Sequence, residues 1–268
     1  MEPRNINIII FSKDRAAQLE LFIRSMKEFF KEFNDHQIKI LYKSSNYEFE
    51  KGYRKVISIH NDSNIQWRQE VQDFQKSLTS IIDFKDKYSV FFVDDNVFKE
   101  PFSLEDKQFK IFSERKDILT LSLRLHPRLN YCYPARLKQV SPPMDKDGVF
   151  NWFGKPGDFG YALSLDGHIF ETRNIKYYFL NLRYNGPNDL ESQMAMHPIP
   201  IPNMICYDKS KIMNLPLNKV QNYNNNVHGN VTAEFLNQKF LEGKRISLNN
   251  IRGFENYSCH QEIDIELE

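Results

Sequence analysis

The chain has 268 residues, 41% of them hydrophobic and 26% charged, which is enough for one large domain with a sizeable core. Its 36 lysines and arginines nearly cancel its 35 aspartates and glutamates, which excludes a global basic field that would steer it onto nucleic acid. No segment approaches the roughly 20 apolar residues of a transmembrane segment, and Cys132, Cys206 and Cys259 lie far apart with no metal-binding spacing, so a soluble, cytoplasmic protein with buried thiols is expected, at most peripheral at a membrane.

The first element, "NINIIIFSKDR", is an apolar run of strand length that ends in Ser12, Lys13, Asp14 and Arg15. Leu19, Phe22, Met26, Phe29 and Phe33 then recur at three- and four-residue steps, which predicts one helix face with Ser12 or Asp14 as N-cap. "IKILYKSS" reads as a second strand and "VISIHND" as a third. Trp67, Val71, Phe74, Leu78 and Ile81 predict a second amphipathic helix, followed by the strand "YSVFFVDDN". This alternation predicts an α/β fold with a mostly parallel central sheet flanked by helices. Further on, "LEDKQFKIFSER" reads as a helix and "DILTLSLRL" as a strand. "HPRLNYCYPARLKQVSPPMDKDG" reads as a loop or hairpin, and Leu165-Asp166-Gly167 as a helix start. "GPNDLESQMAMH" reads as a turn and a helix capped by Asn188 or Asp189, and a last helix is expected from Thr232 to Leu241.

The stretch "FFVDDNVF" drives an apolar strand into two adjacent carboxylates and an amide. Neighbouring like charges repel and resist burial unless a cation or ligand neutralises them. In open α/β sheets ligands gather beyond the carboxyl ends of strands, where Asp94, Asp95 and Asn96 are predicted to sit. Hard oxygen ligands there suit Mn²⁺ or Mg²⁺, whose coordination shells substrate phosphates and water complete. A plain turn is the competing reading, because Asp and Asn are good turn residues.

Four segments together resemble the GT-A fold nucleotide-sugar glycosyltransferases, including the family 2-like enzymes. "IIIFSKDRAAQL" is similar to the strand, loop and arginine that receive the nucleotide, and "FFVDDN" to the DxD motif. "GDFGYALSLDGHIF" is similar to the acceptor-side glycine segment, and "NDLESQM" to the "EDxE" helix start. The resemblance covers residues 5 to about 196 and implies a single GT-A catalytic domain over 1–268. Residues 1–100 would form the nucleotide-binding half, and 101–268 the acceptor half with a C-terminal tail. A strict DxD would carry an acid where Asn96 stands, so either Asp95 takes the metal or Asn96 serves as a neutral oxygen ligand.

On that resemblance, Phe11, Ser12, Arg15, Tyr42, Lys43, Arg68 and Asp94 are the candidate donor-binding residues, with an arginine meeting a phosphate bidentately. The competing reading of Ser12, Lys13 and Arg15 is a simple helix start, and of Arg68 a solvated helix face. Asp95, Asn96 and His228 are candidate metal ligands, although a lone histidine in "NNVHGN" is by default a surface residue. An inverting transfer needs a carboxylate at the acceptor hydroxyl, for which Asp189 and then Glu191 are the candidates. Both would also serve as ordinary residues of a helix's first turn. Trp152, Gly160 and Tyr161 are candidate acceptor-binding residues, the aromatics either stacking on a sugar or filling the core.

The expected function is thus a metal-dependent hexosyltransferase acting from a nucleotide-diphosphate sugar, with UDP as the expected nucleotide, on a glycan or lipid-linked acceptor. A haloacid dehalogenase-type phosphatase also ends a strand in DxD, but Asn96 lacks the acid its second position needs. A nucleotide- or glycan-binding module without turnover is the alternative from another class.

Overall fold

A computed structural model of the chain describes residues 5–71, 73–218 and 231–268. The buried strand β1 (Ile6–Lys13) leads into α1 (Ala16–Phe29), β2 (Ile38–Lys43), α2 (Tyr47–Ile59), β3 (Ile65–Gln69), α3 (Phe74–Ile81) and β4 (Tyr88–Val93). A tight turn at 94–95 joins β4 to β5 (Asn96–Phe98), which is followed by α4 (Lys107–Glu114) and β6 (Ile118–Ser122). A small hairpin of β7 (Tyr131–Cys132) and β8 (Leu137–Lys138) precedes β9 (Val149–Asn151), β10 (His168–Glu171), α5 (Thr172–Asn181) and α6 (Pro187–Met196). The described chain ends with β11 (Asn203–Cys206), β12 (Ile212–Asn214), α7 (Ala233–Leu241) and an extended tail.

One sheet of eight strands runs in the order β3-β2-β1-β4-β10-β6-β11-β9. Strands β3, β2, β1 and β4 are mutually parallel, as are β6 and β11. Strand β10 runs antiparallel between β4 and β6 and stitches the two parallel sets together. The pleat divides β1 between two cores. Ile8 and Ile10 pack with Leu19 and Phe22 of α1 on one face, while Ile9 and Phe11 pack with Phe74 and Leu78 of α3 on the other. Burial on both faces explains why this strand reads as a continuous apolar run rather than an alternation.

Several sequence expectations are corrected. "VISIHND" is no strand but the end of α2: Phe49, Tyr53 and Val56 are buried at helical spacing, and Asn46 caps the start by accepting from Phe49 N at 3.0 Å. Trp67 belongs to β3 and Val71 is exposed, so the second expected helix shortens to α3, capped by Asp73. The first helix stops at Phe29, and Phe33 sits in a separate 3₁₀ turn. Neither Ser12 nor Asp14 caps it. Asp14 adopts φ 57° and accepts from Ser45 N and Oγ, both at 2.6 Å, pinning the start of the loop before α2. No helix starts at 165–167: Gly167, at φ 69°, turns the chain into β10, and a Cβ there would overlap the Ile212 side chain. Gly186, not Asn188 or Asp189, is the N-cap of α6, with Pro187 in its first turn.

Candidate active site

The carboxyl ends of β1, β2 and β4 open onto a cavity of about 650 Å³, whose opposite wall is built by the 157–166 segment and the first turns of α6. The floor is the turn at 94–95. Asp94 is buried, and its Oδ2 accepts from Ser12 Oγ and Lys13 N, each at 2.9 Å. Its Oδ1 accepts from Arg15 Nη1 at 3.1 Å, and the same nitrogen lies 3.3 Å from Asp95 Oδ2. Arg15 is aimed from behind by Asn218, whose side-chain oxygen accepts from Nε at 2.8 Å and whose carbonyl accepts from Nη2. Burial pushes the Asp94 carboxyl up to about 6, against the pull of Arg15 and with a further push from Asp95. For Arg15 the penalty of burial is outweighed by the two carboxylates, which hold its pKa above the usual value.

Asn96 faces inward. Its Oδ1 accepts from Val93 N at 2.9 Å, closing the turn, and its Nδ2 donates to Asp166 Oδ1 at 2.6 Å. Asp166 Oδ2 accepts from Arg124 Nη1 at 2.7 Å and from Asn214 Nδ2 at 2.8 Å, and the same amide nitrogen lies 2.9 Å from Asp95 Oδ1. Burial alone would raise the Asp166 pKa, but the Arg124 charge and these amide donors hold it below the ordinary value. The acidic tip is thus propped on a buried network that reaches to the far wall.

On that wall Glu191 Oε1 accepts from Ser164 Oγ at 2.9 Å and Leu165 N at 2.5 Å, with Tyr161 OH 3.5 Å from Oε2. Burial and the nearby Asp166 charge push Glu191 up to about 7. Asp189 Oδ2 accepts from Asn185 N at 2.9 Å, tying the turn before α6. Asp158 Oδ2 accepts from Gln139 Nε2 at 2.8 Å, and its own N–H donates to Gln139 Oε1 at 3.0 Å.

Of the residues expected from the sequence, Phe11, Ser12, Arg15, Lys43, Asp94, Asp95, Tyr161, Asp189 and Glu191 line this one cavity. Lys43 does so while its Nζ lies 2.6 Å from Glu70 Oε1. Others are placed elsewhere. Tyr42 is buried with its ring 4.6 Å from that of Tyr53, and Arg68 is exposed on the edge strand β3. Trp152 donates to Ile201 O at 2.8 Å from within the second core. Gly160 lies behind the wall, where a Cβ would overlap the Lys155 carbonyl. Asn96 does not line the cavity, and His228 lies outside the described residues. The sequence reading missed Arg124, Asp158, Asp166, Asn214 and His260, which do line it.

For a divalent cation, the tip offers chiefly Asp95, because Asp94 is enclosed by three donors and Asn96 is turned away. Hard cations of the Mg²⁺ type are bound through as few as one or two carboxylates together with substrate phosphates, so the donor set fits a metal shared with a diphosphate. His260, whose Nδ1 is buried without a hydrogen-bond partner among the described residues, could supply a second ligand. Burial and Arg124 lower its pKa, which keeps the ring neutral. Among the described residues no group of three or more His, Cys, Asp or Glu side chains is arranged to enclose an ion by itself.

No protein-family model matches the chain. Among curated proteins it is similar to the bifunctional glycosyltransferase pgtA of Dictyostelium discoideum, at 24% identity over 219 residues, covering 71% of this chain and 28% of that protein. Among solved structures it is similar to S. aureus TarS 1–349, with a TM-score of 0.50 and 12% identity over 77% of this chain and 59% of that one. The same fragment in complex with UDP-GlcNAc gives a TM-score of 0.49 at 11% identity, covering 82% and 60%. The chain therefore spans less than a third of the curated relative and about 59% of the solved TarS fragment. The fold is GT-A-like: one domain around an eight-stranded, mostly parallel sheet, as the sequence predicts. The resemblance to glycosyltransferases carried by the four sequence segments is met by the curated relative.

Proposed function

We propose that the chain is a metal-dependent glycosyltransferase that moves a sugar from a nucleotide-diphosphate donor, a UDP-sugar in the first instance, to a hydroxyl of a glycan or lipid-linked acceptor. The observation that carries this reading is one cavity with two chemically distinct walls. An acid pair under a cationic rim of Lys13, Arg15 and Lys43 stands at the sheet's carboxyl edge, and a second set of carboxylates stands opposite. The glycosyltransferase name of the curated relative and the TarS-like fold support it.

The diphosphate would lie on the first wall, with Arg15, held in place by Asp94, Asp95 and Asn218, giving a fixed positive charge beside its oxygens. Asp94 holds Ser12, Lys13 N and Arg15 in place rather than meeting the donor itself. Mn²⁺ or Mg²⁺ would be held by Asp95, with His260 adjacent, and when bound would neutralise charge on the departing diphosphate. Across the cavity, inversion needs a base for the acceptor hydroxyl. Asp189 and Glu191 both stand on that wall, and Glu191, pushed up to about 7, is the one tuned for proton transfer near neutrality. Ser164 Oγ and Leu165 N orient its carboxylate.

Thermal melting against a panel of nucleotides and nucleotide sugars, with and without Mn²⁺, tests this. A ligand that binds only the folded state raises the Tm by mass action. The expected result is a rise with one nucleotide diphosphate that requires Mn²⁺ and disappears in Asp95→Ala. Absence of any shift across the panel overturns the reading.

A further inference from the structure

The two walls differ in charge balance, the donor wall's Glu70, Asp94 and Asp95 matching its three cations while the far wall is net acidic, and that difference selects the acceptor. Lys13, Arg15 and Lys43 all belong to the donor wall. On the far wall stand Asp158, Asp189 and Glu191, and the cation beside them, Arg124, is buried and already paired to Asp166 at 2.7 Å. The N-terminus of α6 also faces the cavity and would by itself attract an anion. That attraction is already met by Asp189 in the helix's first turn, and Pro187 has no N–H to offer.

We infer that the acceptor subsite takes a neutral, polyhydroxylated chain end and rejects acceptors that carry phosphate at the reacting unit, an inference that rests on the transferase reading above. The far-wall acids suit such a ligand, because carboxylate oxygens accept from sugar hydroxyls without a counter-charge. Tyr161, 37% exposed at the edge of the same wall, offers an aromatic face for the apolar side of a pyranose. A phosphate brought within a few ångström of Asp158 or Asp189 would meet like charge, and the arginine beside them, Arg124, is already paired to Asp166.

The test is direct binding, which does not depend on turnover. Ligand-observed NMR on the intact chain, with mixed methyl glycosides and their 6-phosphates, is run in the presence and absence of UDP. Neutral glycosides are expected to bind, and their phosphates roughly tenfold or more weakly at low salt, the order of effect of one close like charge. Asp158→Asn keeps the shape facing Gln139 and should narrow that gap, with circular dichroism confirming the fold. Phosphates that bind as well as the neutral glycosides, no binding by either, or an unchanged gap in Asp158→Asn would each overturn the inference. Failure of the transferase reading shows separately, as the absence of any nucleotide-induced Tm rise.

Discussion

Arg15 Nη1 lies 3.1 Å from Asp94 Oδ1 and 3.3 Å from Asp95 Oδ2, so one guanidinium bridges both acids of the turn. The adjacent carboxylates that look costly in the sequence are partly offset from within the chain, by a residue 79 positions before Asp94 that β1 delivers to the same sheet edge, which leaves one negative charge for a bound cation. The bridge also presets the donor wall. A diphosphate entering there meets an arginine already extended, with Asn218 holding its other nitrogens.

Arg15→Ala therefore leaves a buried carboxylate without its cation. Breaking one partner of such a pair costs about 3–5 kcal/mol, so urea unfolding should show a clearly lower midpoint. Arg15→Lys restores charge but not the paired contacts to Asn218, and should recover only part of the loss. A variant as stable as wild type would mean that Asp94 finds another partner.

Asp95→Ala and Asn96→Ala separate binding from folding at neighbouring positions. Asp95 is the more exposed acid, at 15% against 5% for Asp94, and its removal should abolish the Mn²⁺-dependent Tm rise with modest effect on the unliganded fold. Asn96→Ala orphans Val93 N and an oxygen of Asp166, at about 1–3 kcal/mol for each buried group. Its unliganded Tm should fall while any metal-dependent rise persists.

The sheet was legible where burial on both faces writes long apolar runs, as in β1, β4 and β6. It was misread at "VISIHND", where a short β-branched run hides inside the longer 3.6-residue period of Phe49, Tyr53 and Val56. The acidic tip announced itself because charge at the end of a strand is costly. Its partners did not: Arg124, Asp166, Asn214 and His260 come from separate segments and meet only through the sheet and the β5–β12 ribbon. Asp166 lies within the quoted glycine segment, yet "SLDGH" carries no periodicity that marks its aspartate as buried. Asp158 was equally silent, since its place depends on Gln139 across the loop.

The Glu191 carboxyl has a pH signature of definite sign. Its pKa in the fold is raised to about 7, so the folded state keeps a proton that the unfolded chain, near 4.3, has released. Stability should therefore fall as pH rises from about 4 to 7, with Asp94, raised to about 6, contributing in the same direction. Transfer should do the opposite and rise through pH 7 as Glu191 becomes available as base. Glu191→Gln should flatten its part of the stability slope and remove the rise in rate. Melting curves and initial rates across pH check both, and a Gln variant with an unchanged rate profile would return the base role to Asp189.

Gly160→Ala separates the two walls. The residue does not line the cavity, but a Cβ would overlap the Lys155 carbonyl, which lies just before the 157–160 turn that carries Asp158 and leads into Tyr161. Backbone cannot yield there as a flexible side chain would, so the turn must shift and carry the acceptor wall with it. The donor wall is built from β1, β2 and β4 and shares none of that turn. Nucleotide-induced Tm rises should therefore survive in Gly160→Ala while transfer to acceptor falls more than about tenfold, since small misplacements of a reacting group are that costly. Hydrolysis of the donor by water, which needs no acceptor wall, is the control that should change least.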